Sequence, residues 1–122
     1  YFTYGMYYCM NCVSEPKGSG TAVLIRALEP AEGIEQMRKH RGNTVTDANL
    51  TSGPGKLCQA LAIDTSLNEA DLVGNQLWIE EGERIPPRRT GESSRVGINR
   101  GREHQWRFYV TDSRYVSAHP KY

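Results

Sequence analysis

Length, composition and charge define a broad class before any motif is considered. The chain has 122 residues, of which 38% are hydrophobic and 24% charged, a composition typical of one globular domain. No apolar run approaches the roughly 20 residues needed to span a bilayer, so we expect no membrane-spanning segment in this sequence. The net charge is only +1, so a nucleic-acid-binding surface would need its positive charge concentrated on one face.

The chain opens with an aromatic segment, residues 1–11, which holds four of its seven tyrosines. Aromatic and β-branched residues favour a strand, and Gly5 predicts a bulge or a close backbone approach within it. Because aromatic rings can stack on flat bases, this segment is a candidate binding site. A strand with nothing before it has an unprotected edge, and the sequence does not begin with Met. We therefore expect residues 1–122 to be the C-terminal part of one longer domain whose N-terminal elements are missing.

The three cysteines are Cys9, Cys12 and Cys58, an odd number without the dense spacing of a disulfide scaffold. This usage predicts a reducing, intracellular compartment. In an extended strand, residues three apart point to opposite faces, so Cys9 and Cys12 are poorly placed to share a metal ion. Buried thiols are the predicted state.

A Pro-, Gly- and Ser-rich connection at residues 13–20 predicts a hairpin between the aromatic strand and residues 21–25. The apolar run at 21–25 predicts a strand buried on both faces. Arg26 follows this run directly. Its guanidinium could pair with a carboxylate such as that of Glu29 or point into an active site, and the pattern favours neither alternative.

Residues 29–41 are predicted to form a helix, because Pro30 suits a first turn and the order of acids and then bases suits the helix dipole. The basic cluster at residues 38–41 is typical of a solvated helix end. Residues 42–50 show little periodicity, which predicts a surface loop.

A polar Gly/Pro turn leads into a second predicted helix within residues 51–63. Free N–H groups at its start, beside Lys56, could hold a backbone phosphate of a nucleic-acid duplex. The spacing does not match a nucleotide-binding P-loop. An ordinary capped helix is an equally weighted alternative.

Three further strands are predicted over residues 76–80, 95–98 and 105–110. Residues 81–94 are rich in Pro, Gly and charge, which predicts a long surface loop. Basic loops could form a rim that contacts phosphates, although solvated loops are commoner. The predicted fold is a single α+β domain with a curved, mainly antiparallel β-sheet and flanking helices.

Four blocks of sequence together resemble the alkyladenine DNA glycosylase family, also called N-methylpurine or 3-methyladenine DNA glycosylases. The blocks are Tyr-Gly-Met-Tyr-Tyr-Cys-Met-Asn at 4–11, Val-Leu-Ile-Arg-Ala-Leu-Glu-Pro at 23–30, Ser-Gly-Pro-Gly-Lys-Leu-Cys-Gln-Ala-Leu at 52–61 and Arg-Phe-Tyr-Val at 107–110. Their order and spacing make the resemblance specific, and it extends from Tyr1 nearly to the C-terminus. The Cys-Met-Asn form of the first block resembles animal members more than bacterial ones. The resemblance implies a nuclear location in a eukaryote and a cytoplasmic one otherwise.

The resemblance implies a monofunctional enzyme of base excision repair that flips a damaged purine out of double-stranded DNA and hydrolyses its N-glycosidic bond with water. It also implies 3-methyladenine, 7-methylguanine, hypoxanthine and ethenoadenine as substrates, a monomer, no membrane partner, and no metal or other cofactor. Flipping a base costs a few kcal/mol, so an aromatic plug and an aromatic pocket are needed.

The resemblance also assigns roles to residues of the aromatic segment. Tyr4 matches the tyrosine that enters the gap left by the flipped base, and Met6 and Tyr7 lie along the same DNA-facing surface. Tyr1 matches a tyrosine that lines the base pocket. Asn11 matches an asparagine that crowds the amino group of undamaged guanine.

The same resemblance places catalytic groups further along the chain. Arg26 matches an arginine that positions the nucleophilic water, and Val96 matches a residue whose backbone carbonyl also holds this water. The family's general base is a glutamate in a segment upstream of Tyr1, and no motif assigns that role to any of the 14 acids present. We therefore expect the chain alone to be inactive. The alternative is a truncated product that binds lesions in DNA without catalysis.

Overall fold

The computed structural model of the chain describes residues 2–3, 7–16 and 18–117. Strands lie towards both ends of these ranges and helices lie between them. The elements are β1 Phe2–Thr3, β2 Tyr7–Tyr8, β3 Asn11–Val13, β4 Ala22–Leu24, α1 Ile34–Arg41, α2 Pro54–Ala60, β5 Thr90–Ser93 and β6 Arg107–Val110. Short 3-10 helices lie at Asp47–Asn49, Thr65–Leu67 and Pro87–Arg89. The predicted α+β class is confirmed.

The six strands pair in twos, and each pair is antiparallel: β1 with β2, β3 with β4, and β5 with β6. Antiparallel pairing agrees with the prediction. Within the described ranges, however, the strands form three separate two-stranded ladders rather than one continuous curved sheet. Strands of two to four residues are shorter than the usual five or six and offer few groups to a third neighbour.

The predicted hairpin over residues 11–25 is confirmed, with Asn11 opposite Leu24 and Val13 opposite Ala22. The N–H of Ile25 extends the ladder by donating to the carbonyl of Met10 at 3.0 Å. The prediction that this strand is buried on both faces is wrong, because Val23 is 53% exposed. A two-stranded hairpin covers only one of its faces, so its apolar side chains stay partly open to solvent.

The first helix begins at Ile34, five residues later than predicted, directly after Gly33, whose φ of 73° lies in the left-handed region. Its basic end is not simply solvated, because Arg38 pairs with Asp47 and Arg41 donates to the carbonyl of Leu50 at 3.1 Å. Leu50 itself is fully buried, although the sequence predicts a surface loop there. The long cationic side chains therefore hold residues 42–50 against the helix.

The core consists of two clusters centred on the helices. Met37, Leu50 and Ala60 join α1 to α2, and Leu57, Cys58 and Ile63 form the second cluster on the other side of α2. All three cysteines are buried thiols without a disulfide, as predicted. Burial raises the pKa of the Cys12 and Cys58 thiols. No helix in the part of the chain that the structure describes is long and apolar enough to cross a membrane.

The C-terminal strands differ from the prediction in their partners. Residues 76–80 form no strand and contribute only an isolated bridge between Val73 and Trp78. Residues 95–98 do not pair as a strand either. The predicted strand at 105–110 is confirmed as β6, but its partner β5 lies inside the predicted surface loop at 81–94. Because β5 reads Thr-Gly-Glu-Ser, no apolar alternation marks it in the sequence.

Candidate functional site

A large cleft of about 1320 Å³ lies between the β3–β4 hairpin and the β5–β6 ladder. Its floor includes Ser52, Gly53 and Pro54, where α2 begins. Asn11 and Arg26 both line this cleft. Asn11 pairs with Leu24 across the hairpin, so the hairpin register brings these two predicted site residues to one side. The fold therefore brings Asn11 and Arg26 into the lining of one cleft.

Arginines outnumber acids in the lining of the cleft. The five arginines are Arg26, Arg89, Arg95, Arg107 and Arg114, and the three acids are Glu29, Glu83 and Asp112. Arg89 donates two bonds of 3.1–3.2 Å from Nε to Asp112, and these hydrogen bonds lower the pKa of that carboxyl. Arg114 donates to the hydroxyl of Tyr115 at 2.9 Å. The cleft is therefore a positively charged site on a nearly neutral chain.

Arg26 is half-buried in the wall of the cleft. Its side chain makes no hydrogen bond or ion pair with another described residue, so the ion pair with Glu29 is not formed. Burial lowers the pKa of the guanidinium, and the charges of Arg107 and Arg95 lower it further. A half-buried cation without a carboxylate partner is poised to bind an anion or to orient a polar ligand.

Arg107 is almost fully buried, with 6% of its surface exposed. Its guanidinium donates to Oγ of Ser93 at 3.3 Å and to the carbonyl of Ser117 at 3.4 Å, and it lies 4.7 Å from the centre of the Tyr109 ring. These contacts fix the charge within the cleft wall. The resemblance implies no role for Arg107. Alternation along β6, which places positions 107 and 109 on one face, is the signal that could have identified the pair.

The other predicted site residues that the structure describes, Tyr7, Lys56 and Val96, do not line this cleft. Tyr7 lies against the start of α2, where a Cβ added to Gly55 would lie 2.9 Å from Cδ1 of Tyr7, and Lys56 is the next residue of that helix. Nζ of Lys56 donates to Oγ of Ser52 at 3.4 Å, and the side chain is otherwise exposed. Val96 is half-buried and does not line the cleft, although its neighbour Arg95 does. Tyr1, Tyr4 and Met6 lie outside the described residues.

Metal binding has no support in the parts of the chain described here. In these ranges no three His, Cys, Asp or Glu side chains are grouped as a metal ion would require. Cys9 and Cys12 remain buried thiols beside the hairpin.

A family model and individual relatives both connect this chain with DNA glycosylases. A family model described as methylpurine-DNA glycosylase matches residues 1–114. A protein of Chlorobaculum parvum is 49% identical over 97% of this chain, one of Carboxydothermus hydrogenoformans is 47% identical over 96%, and one of Salinibacter ruber is 41% identical over 96%. Each is provisionally named a 3-methyladenine DNA glycosylase. The chain spans 56–61% of the length of these relatives. On the family match and these identities, the chain belongs to the methylpurine-DNA glycosylase family.

Proposed function

We propose that the protein to which this chain belongs is a monofunctional DNA glycosylase of base excision repair. Its substrates are alkylated or deaminated purines in double-stranded DNA, namely 3-methyladenine, 7-methylguanine, hypoxanthine and ethenoadenine. The observation that carries this proposal is the family match over residues 1–114, together with the positions of Asn11 and Arg26 in one cationic cleft. A cleft of about 1320 Å³ has room for a flipped nucleotide.

In the proposed reaction, water attacks the anomeric carbon as the base departs and the sugar becomes oxocarbenium-like. Arg26 and the backbone carbonyl of Val96 hold the water, and a glutamate from a segment not present in this sequence removes its proton. An alkylated base already carries positive charge, so it leaves with little acid assistance. No metal ion or cofactor takes part, and the enzyme acts as a monomer.

The DNA-facing surface is proposed to continue from the cleft to the start of α2. Ser52, Gly53 and Pro54 line the cleft. Lys56 follows in the first turn of α2, and Tyr7 of β2 lies against Gly55 of that turn. Tyr4 enters the stack, Met6 and Tyr7 lie along the groove, and Lys56 contacts a backbone phosphate. Tyr1 lines the base pocket, and Asn11 excludes guanine.

The test is single-turnover release of hypoxanthine from a labelled duplex by the complete protein, compared with its Arg26→Gln variant. Losing an aligned donor should slow excision by about a hundredfold. Arg88→Gln is the matched control, because Arg88 is exposed and does not line the cleft. Equal rates for both variants would contradict the role of Arg26, and no release by the unaltered protein would contradict the proposed function.

The isolated chain offers a second test, because its own acids include no assigned general base. We expect it to excise no hypoxanthine, and measurable turnover would refute the assignment of the base to an absent segment. The alternative function, lesion binding without catalysis, is favoured by the cationic cleft that this chain alone provides. It requires tighter binding to a duplex with an abasic-site analogue than to an intact duplex.

A further inference from the structure

Three arginines from distant parts of the sequence line the same cleft. Arg26 follows β4, Arg95 follows β5, and Arg107 begins β6. The fold rather than local sequence brings these charges together. All three line one cleft, and the charges of Arg107 and Arg95 lower the pKa of Arg26, as expected when like charges lie near it.

The acidic side chains that line the cleft do not neutralise the positive charge of the arginine cluster, Arg26, Arg95 and Arg107. Asp112 is held by Arg89, and Glu29 and Glu83 are exposed and are not among the groups that shift the pKa of Arg26. Neither Arg26 nor Arg95 forms a side-chain hydrogen bond or ion pair with another residue in the described ranges. Gathering like charges destabilises the folded chain, so a bound anion would be favoured.

The surroundings of the cluster indicate the kind of anion. Guanidinium groups match phosphate oxygens with paired hydrogen bonds. The same cleft is lined by Trp106 and Phe108, whose side chains are 59% and 63% exposed. A ligand that carries a phosphate beside an apolar sugar or base face satisfies both features, whereas a small inorganic anion satisfies only the first.

We propose that Arg95 and Arg107, together with Arg26, form a phosphate-binding site for the DNA backbone phosphate adjacent to the flipped nucleotide. This inference rests on the proposed function. Arg107 is buried and fixed by Ser93 and Tyr109, so it supplies a preorganised charge. Arg95 is exposed and lines the same cleft. The bound phosphate neutralises cations that would otherwise oppose positive charge on the reacting sugar.

The experiment is a double-mutant cycle on DNA binding by the complete protein to which this chain belongs. The probe is a duplex with a tetrahydrofuran abasic analogue, in which uncharged methylphosphonates replace the flanking phosphates one at a time. Arg95→Gln should weaken binding to the fully charged duplex about tenfold. It should also reduce the slope of log affinity against log salt by about 0.9. When the methylphosphonate replaces the phosphate that Arg95 binds, the affinities of the Arg95→Gln variant and the unaltered protein should become nearly equal.

Two further variants serve as controls. Arg88→Gln removes the same charge outside the cleft and should leave the affinity within about twofold. Arg95→Lys keeps the charge and should restore the salt slope but only part of the affinity, because lysine lacks the paired donors.

The outcomes separate this inference from the proposed function. One outcome is that the protein prefers the abasic duplex, but the effects of Arg95→Gln and of every methylphosphonate on affinity are additive. This outcome would overturn the phosphate site and leave the proposed function intact. Equal effects of Arg95→Gln and Arg88→Gln would do the same. Equal affinity of the complete, unaltered protein for abasic and intact duplexes would contradict both.

Discussion

The ring of Tyr7 lies directly against the backbone of α2 at Gly55, the second residue of that helix. A Cβ added to Gly55 would lie 2.9 Å from Cδ1 and 3.1 Å from Cβ of Tyr7. The conflict involves the inflexible base of the tyrosine side chain as well as its ring. Only glycine at position 55 therefore allows β2 to approach the start of α2 this closely.

Gly55→Ala should destabilise the chain by about 1–2 kcal/mol, because the steric cost of forcing Tyr7 away exceeds the gain in helix propensity. The measurement is the midpoint of urea unfolding. Gly82→Ala is the control, since a Cβ there meets nothing within 4 Å, and its effect should stay within about 0.5 kcal/mol. In a Tyr7→Ala background, Gly55→Ala should lower the free energy of unfolding much less than it does in the unaltered chain. Full additivity of the two effects would show that Tyr7 does not impose the constraint.

Gly91 lies opposite Tyr109 in the β5–β6 ladder, against the outer end of its ring. A Cβ on Gly91 would overlap the Tyr109 ring, which in turn lies beneath the guanidinium of Arg107. Gly91→Ala should displace the ring, destabilise the ladder by about 1–3 kcal/mol and weaken binding to an abasic duplex. In a Tyr109→Ala background, Gly91→Ala should lower the free energy of unfolding much less if the clash is the cause. No effect of Gly91→Ala on either measurement would contradict the packing.

The hairpin of β3 and β4 was predictable because its signals are local. A Gly/Pro/Ser connection between apolar segments specifies a reversal, and the resemblance placed Asn11 and Arg26 beside it. The fold class followed from the same patterns. The sequence also identified β6 through its aromatic and β-branched residues.

The partner of β6 was not predictable from local pattern. Thr90–Ser93 has no apolar alternation, and its pairing depends on the fit of Gly91 against Tyr109, a contact between residues far apart in sequence. The burial of Leu50 and the enclosure of Arg107 arise in the same non-local way. The arginine cluster consequently becomes visible only once β5 and β6 are paired beside the hairpin.

Arg41 links α1 to two other segments. It donates to the carbonyls of Leu50 and Asn49 at 3.1 and 3.2 Å and to Oε1 of Gln59 at 2.8 Å. Arg41→Met should destabilise the chain by about 1–3 kcal/mol, because the carbonyl of fully buried Leu50 loses its donor. Lys39→Met is the matched control on the exposed side of the same helix. Equal urea midpoints for the two variants would show that the links contribute nothing.

The Cys58 thiol should be protected in the folded chain. It is 1% exposed, and burial raises its pKa, so less thiolate is present at mildly alkaline pH than in an unfolded chain. Cys58 should react with a disulfide reagent many times more slowly in buffer than in urea, as followed by mass spectrometry of its peptide. Modification at the same rate in both solutions would contradict the burial.

The raised thiol pKa also gives a stability prediction with a definite sign. Unfolded thiols have a pKa of about 8.5. The folded chain keeps the Cys58 and Cys12 protons at pH values where unfolded thiols have lost them. This contribution is fully present below that pH and is lost as pH rises through the folded values. Unfolding midpoints should therefore fall above about pH 8.5. Cys58→Ala should flatten this fall, and an unchanged pH slope would contradict the linkage.

Asn11 lines the cleft from the hairpin, half-buried and opposite Leu24. In the proposed function, its amide crowds the amino group of guanine. In the complete protein, Asn11→Ser shortens that side chain, so guanine should enter more readily and its excision should rise about tenfold. Hypoxanthine lacks the amino group, so its excision should change little. Asn99→Ser, in an exposed turn outside the cleft, is the control for loss of an amide. If the ratio of guanine to hypoxanthine release in single-turnover assays stays unchanged, Asn11 does not determine the discrimination.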